Sequence, residues 1–329
     1  MKALAAALLS VSFSASQALA GGAVIAVQKG GAKPEIRVLG DGVSGEAYQV
    51  GSIGKVACTL AALSLEKRGK LYLDSPIGEL LPGYDGVRPE VTLRQLLANR
   101  AGIADGAVAA LLQDRSVAEA SMPALDAANR FATEATDDAP DTTFDYVQTN
   151  WVIIQAILEE ASDKPITKLI QREVLRPARM RDSYVFIGDL DRDGIPQTET
   201  PYLPLPDFIS CAGGLAATPE DIIKLSRLPF VSRRFDEARR EALMAVTTEE
   251  QDYTLGGRFE TVTDREGNTR RISWQSGNNG PWSAQVIYDH VQDVAWSVVS
   301  LDGDFEAILA DRAQWLESEG LTWDEAPAD

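Results

Sequence analysis

Two residues stand three apart in "YQVGSIGKVACTLAAL", residues 48–63: Ser52 and Lys55, at the head of what reads as a long apolar helix. Ser52 by itself suits a helix N-cap, since its hydroxyl can accept from a free N–H of the first turn. Lys55 does not suit that turn. A helix N-terminus carries roughly half a positive charge, which repels a cation by about 0.3–1 kcal/mol, and a capping box would place Glu or Gln there. Side chains at i and i+3 lie on one side of a helical turn, so the amine can reach the hydroxyl. An amine so placed can stabilise a serine alkoxide or, uncharged, take its proton, and the helix terminus favours the anionic oxygen. The Ser-x-x-Lys pattern recurs by chance, so its surroundings decide whether it carries chemistry.

Other catalytic schemes are short of parts. His290 is the single histidine of the chain, in "YDHVQDVAW", a polar break between two β-like runs that predicts a solvent-facing hairpin residue. One imidazole leaves most metal sites without ligands, so no metal and no other cofactor is expected. It also leaves a Ser-His-Asp triad improbable, and any nucleophile must find another base.

The elements that must position these residues can be read along the chain. "GGAVIAVQKGGAKPEIRVLGDG" predicts a β-hairpin leading into the Ser52 helix, whose Val56, Leu60 and Leu63 share a face while Ala57, Ala61 and Ala62 fill the others. A helix apolar nearly all round is buried centrally. Residues 66–230 read as short helices broken by Pro, Gly and Asp. The β pattern returns in "YTLGGRFETVTD", "NTRRISWQSG", "WSAQVIYD" and "VAWSVVSL", before a closing helix in "DFEAILADRAQWLESEG" and an acidic tail "DEAPAD" expected to be disordered. The fold class is therefore α/β of the α+β type: one antiparallel sheet built from both chain ends and flanked by helices, with a mostly helical region inserted. A single domain over 21–329 is expected, with 21–65 and 231–329 as its α/β part and 66–230 as its helical insert.

"GSIGKVACTLAALSLEKRGKLYLDSPIGELLPGY" followed by "VTLRQLLANRAGI" resembles the penicillin-recognising serine hydrolases, which include class C β-lactamases, DD-peptidases and esterases of the β-lactamase fold. "FDYVQTNW", "CAGGLAATPEDIIKL" and "WQSGNNGPWSAQVIY" match further segments in the family's order. The resemblance implies Ser52 as acylated nucleophile and Lys55 as its activating partner. Tyr146 would take the place of the tyrosine in the family's Tyr-x-Asn motif, as base toward Ser52 and later toward water. A phenol ordinarily titrates near pH ~10, so that role calls for a nearby cation, which Lys55 can supply. The oxyanion hole would be the backbone N–H groups of Ser52 and Asn278, each such donor governing a factor of ~10²–10³ in rate.

Two positions depart from the family pattern. Gln148 replaces the usual Asn of the second motif, a longer amide still able to reach Lys55 or a substrate amide. Gln275 replaces the Lys or His that opens the third motif, where Ser276 and Gly277 follow, so a charge contact to a substrate carboxylate is weakened. Gln148, Gln275, Ser276 and Gly277 are the expected substrate-binding residues. The function implied is a serine hydrolase of esters or peptide-like amides rather than an efficient β-lactamase. The alternative is a degenerate member that binds a cell-wall fragment or a partner protein without turnover.

Composition limits the partners. A formal charge of −18 on 329 residues argues against nucleic acid or an anionic membrane face as the main partner, and the small-molecule or peptide substrate is what the family resemblance implies. "MKALAAALLSVSFSASQALA", residues 1–20, reads as a secretory signal peptide and places the protein in the periplasm or outside the cell. A helix of the mature protein or a short anchor is the other reading, and the segment is short and Ser-rich for a stable span. Cys58 and Cys211 could pair in such a compartment, but two buried free thiols are the expectation, since sequence does not bring them within bonding distance.

Overall fold

In the computed structural model, which describes residues 22–187, 205–248 and 251–323, the chain opens with the hairpin β1 (Ala23–Lys29) and β2 (Glu35–Leu39). Three short strands, β3 (Tyr48–Gln49), β4 (Tyr184–Val185) and β5 (Leu215–Ala217), form a small sheet in the order β3-β5-β4. The main sheet adds β6 (Arg258–Asp264), β7 (Thr269–Asn279), β8 (Trp282–Asp289), β9 (Val294–Ser300) and β10 (Leu321–Trp323). Its order is β10-β6-β7-β8-β9-β1-β2, with every neighbouring pair antiparallel. Pairing of β1 with β9, from Ala23↔Ser300 to Lys29↔Val294, joins the two ends of the chain.

The period of two along a strand sends alternate side chains of β1 to opposite faces. Val24 joins the large cluster around α1 (Gly54–Lys67), while Ala23 and Ile25 join a smaller one with Trp296, Trp315 and Ile308. Between α1 and β4 run α2 (Ile77–Leu80), α3 (Leu93–Leu97), α4 (Gly106–Gln113), α5 (Ala124–Phe131), α6 (Gln148–Ser162), α7 (Ile166–Ile170) and α8 (Arg176–Ala178). They are followed by α9 (Ser210–Gly213), α10 (Pro219–Val231) and α11 (Glu237–Met244), and α12 (Phe305–Glu319) covers the second face of the sheet. In α1 Leu60 and Leu63 are wholly buried, each stabilising the fold by about 1.5–3 kcal/mol relative to exposure. This is the central helix its all-round apolar pattern predicts.

Several expectations are corrected. Ser52 is not the N-cap of α1: it lies in a 3₁₀ turn, Gly51–Ile53, and Ile53 takes the cap position without a side-chain hydrogen bond. Cys58 and Cys211 are not free thiols but a disulfide, because α1 packs against α9 and brings their Cα atoms to 5.7 Å, within bonding range. His290 is half-buried rather than solvent-facing, its ring stacked on Phe230 at 4.5 Å, and burial pushes its pKa down. The "YTLGG" run does not extend the strand of "RFETVTD", which starts at Arg258, and β10 at the sheet edge was not anticipated. The proposed signal peptide and the acidic tail lie outside the described residues.

Candidate active site

The turn that carries Ser52 is pressed against β7. Gly51 has φ +50°, and a Cβ there would stand 2.5 Å from the backbone N and O of Asn278. A Cβ on Gly277 would meet Val50 O at 2.1 Å and Ser52 N at 2.7 Å, so glycine at both places is what lets the two backbones touch. Ser52 itself stays half-buried, with the exposed Asn278 beside it.

Lys55 is fully buried on the first turn of α1. Its Nζ lies 3.0 Å from Ser52 Oγ, 3.0 Å from Gln148 Oε1 and 2.7 Å from the Ala212 carbonyl, the last presented by α9. The amine also stands over the rings of Tyr146 at 4.8 Å and Trp151 at 5.4 Å. Among the described residues no carboxylate forms an ion pair with it. Burial therefore pulls its pKa below the ordinary lysine range, Tyr146 and then Asp105 work against that fall, and the positive Arg258 adds to it. An uncharged Lys55 would give its two N–H groups to Gln148 and Ala212 and leave its lone pair to the Ser52 hydroxyl.

Gln148 is the first residue of α6, and its position depends on Asp105. One carboxylate accepts from Gln148 N at 2.8 Å, Thr149 N at 3.1 Å and Val108 N at 3.3 Å, capping α6 and α4 together. Tyr146, half-buried in the loop just before α6, packs edge-on to the buried Tyr253 at 6.0 Å and against Phe144 at 6.4 Å. Gln275 is not at the surface. Its Nε2 donates to Ser52 O at 3.2 Å and to Gly256 O at 3.5 Å, and its Oε1 accepts from Arg258 Nη1 at 3.2 Å. Ser276 pairs in register with Gln285 of β8 and makes no side-chain hydrogen bond to Ser52, Lys55 or Tyr146.

Ser52, Lys55, Tyr146, Gln148, Gln275, Gly277 and Asn278 thus come together around one turn, from three separate stretches of chain. Sequence reasoning missed Asp105, Arg258, Tyr253 and the Ala212 carbonyl. Asp105 had a legible signal, an Asp directly before "GAVAALL", in the place an N-cap occupies. The other three carry none, because their closeness to Lys55 or Tyr146 comes from sheet register and helix packing. Among the described residues no group of three or more His, Cys, Asp or Glu side chains is arranged to hold a metal ion, and no helix is long and apolar enough to cross a membrane.

The sheet, the helical insert and the serine–lysine turn together define a β-lactamase-like architecture. Residues 12–317 match the Beta-lactamase family, and the chain belongs to it. Similar sequences include a putative penicillin-binding protein, PbpX, of Bacillus subtilis (strain 168), 23% identical over 55% of this chain and 46% of that one. Esterase EstB of Burkholderia gladioli is 26% identical over 45% of this chain and 41% of its own length. Each match therefore spans under half the length of the relative. Among solved structures, a D-stereospecific amidohydrolase from Streptomyces sp. superposes with a TM-score of 0.74 at 19% identity, covering 89% of this chain and 96% of that one. At that identity the likeness is one of fold.

Proposed function

We propose that the protein is a serine hydrolase that forms an acyl-enzyme on Ser52 and acts on esters or small peptide-like amides. The observation that carries this is a buried amine with a lowered proton affinity, 3.0 Å from the Ser52 hydroxyl. Lys55 takes the serine proton as Ser52 Oγ attacks the carbonyl carbon, and the N–H groups of Ser52 and Asn278 receive the developing oxyanion. Tyr146, against the same amine, passes the proton to the leaving group and later draws one from the water that releases the acid. Gln148 holds Lys55, and Gln275, Ser276 and Gly277 form the strand side of the substrate cleft. Because Gln275 is turned inward to Ser52 O, it offers no cation to a β-lactam carboxylate, which favours neutral acyl donors. That relatives include a named esterase, and that a named amidohydrolase shares the fold, supports the ester and amide class.

Localisation outside the cytoplasm is supported by the buried Cys58–Cys211 disulfide together with the leader-like residues 1–20. A fluorophosphonate probe is expected to label Ser52 in the wild type and not in Ser52→Ala, with a burst of p-nitrophenol from p-nitrophenyl butyrate. Absence of both adduct and burst, with retained binding of peptidoglycan fragments, would instead establish the non-catalytic binder.

A further inference from the structure

We propose that Arg258 is the fixed cation of the Ser52 site, standing in for the positive residue that Gln275 replaces and acting through Gln275 rather than by touching substrate. The inference rests on the acyl-enzyme reading of Ser52. Arg258 is the first residue of β6 and the register partner of Trp274, the neighbour of Gln275 on β7. Its guanidinium lies over the Trp274 ring at 4.7 Å and the Tyr253 ring at 5.3 Å, and Tyr253 in turn packs on Tyr146. One chain of contacts therefore leads from the guanidinium to the phenol and another to the nucleophile.

The second chain is directional. Arg258 Nη1 donates to Gln275 Oε1 at 3.2 Å, and an amide with its oxygen so occupied must present its nitrogen the other way, to Ser52 O at 3.2 Å. Arg258 thus sets the orientation of the amide that braces the reactive residue. Its charge is also uncompensated. Arg270 and Arg227 are neutralised by Asp289 and Asp293, but among the described residues Arg258 forms no ion pair, and its buried Nε has no partner. A guanidinium that is half-buried and unpaired projects more potential into a dry site than a paired one.

The groups facing Lys55 can be named from each side. Ser52 lies on its own turn, Gln148, Tyr146 and Trp151 come from α6 and the loop before it, and Asp105 from the cap of α4. The Ala212 carbonyl comes from α9, and Arg258 from β6. Tyr146 and Asp105 favour the ammonium, whereas burial and Arg258 favour the free amine that accepts the serine proton. A lysine at 275 would put its charge directly beside the reacting groups. Here the charge sits one strand further out.

The test is the pH dependence of kcat and KM for p-nitrophenyl butyrate, a neutral ester, in wild type, Arg258→Met, Arg258→Lys and Arg258→Met/Gln275→Lys. Arg258→Met is expected to lower kcat about tenfold or more with KM little changed, and to move the acidic limb of kcat/KM to higher pH by about one unit. Arg258→Lys, and the double variant that returns the charge to β7, are expected to recover most of both. Should Arg258→Met not fold, Arg258→Gln keeps a donor toward Gln275 without the charge and reads the same limb. An unmoved limb in a folded neutral variant overturns the proposal. So does a change confined to KM that grows with a carboxylate-bearing ester, since Arg258 would then be a substrate ligand. A normal burst in the wild type with any such result counts against Arg258 alone; no burst in the wild type counts against the acyl-enzyme itself.

Discussion

On the proposed mechanism Lys55 concentrates the chemistry in one side chain, and its environment works against stability. A buried amine without a carboxylate partner loses hydration that three hydrogen bonds replace only in part. With its pKa lowered in the fold, the unfolded chain binds the proton more readily, so this group's contribution to stability falls as pH drops below the ordinary lysine range. Lys55→Met should reduce kcat/KM by about 10³-fold or more, since it removes the proposed base toward Ser52. Its melting temperature should stay within a few degrees of wild type, because relief of desolvation offsets lost hydrogen bonds worth about 1 kcal/mol each. The variant should also gain on the wild type as pH falls from about 10.5 to 7, measured by denaturant melts at both pH values.

At the scale of elements, the site exists because α1, α6, α9 and β7 are held in register by contacts remote from the serine. Asp105 ties the starts of α4 and α6 with a single carboxylate, and Gly277 lets β7 close on the serine turn. The disulfide does the same for α1 and α9: Cys58 lies one turn beyond Lys55, and Cys211 precedes the carbonyl that holds the amine. Cross-linking residues 153 apart in sequence limits the unfolded chain strongly. Cys58→Ala/Cys211→Ala should lose about 2–4 kcal/mol in denaturant unfolding. Acylation measured in a single turnover should slow as well, through the displaced Ala212 carbonyl; an unchanged acylation rate would show that α9 holds its place without the bond.

The whole molecule is a sheet contributed by both chain ends, with a helical mass packed on one face and α12 on the other. Its stability should depend on pH through Glu260 of β6, which is buried and whose pKa is pushed up to about 7 by desolvation, then by the hydrogen bond and charge of Asp252. The folded protein keeps that carboxyl protonated where the unfolded chain has ionised it. The stability it contributes is whole below about pH 4.5 and is lost as pH rises through 7. Glu260→Gln should remove this slope and gain about 1–2 kcal/mol over wild type at pH 8, read from urea melts at pH 5 and 8. Equal slopes in the two proteins would refute it.

What the sequence determined alone was local or periodic. The short β-like runs "AVIAVQK" and "WSAQVIYD", bounded by turn signals, mark strands, the unbroken apolar surface of "VACTLAALSL" marks a central helix, and the Ser52–Lys55 spacing marks one turn. Family resemblance added Tyr146, Gln148 and Asn278, and all three lie at the serine turn. The cap on α1 was misread because the chain tightens into a 3₁₀ turn before the helix begins, and β10 was missed because three residues become a strand only when β6 is there to pair with. Only the tertiary structure decided that Cys58 meets Cys211, that Gln275 turns inward, and that Arg258 stands beside it. The first two contacts join segments far apart in the chain and the third crosses between neighbouring strands, and in each case spacing along the polypeptide does not say which side chains meet until helices pack and strands choose their register.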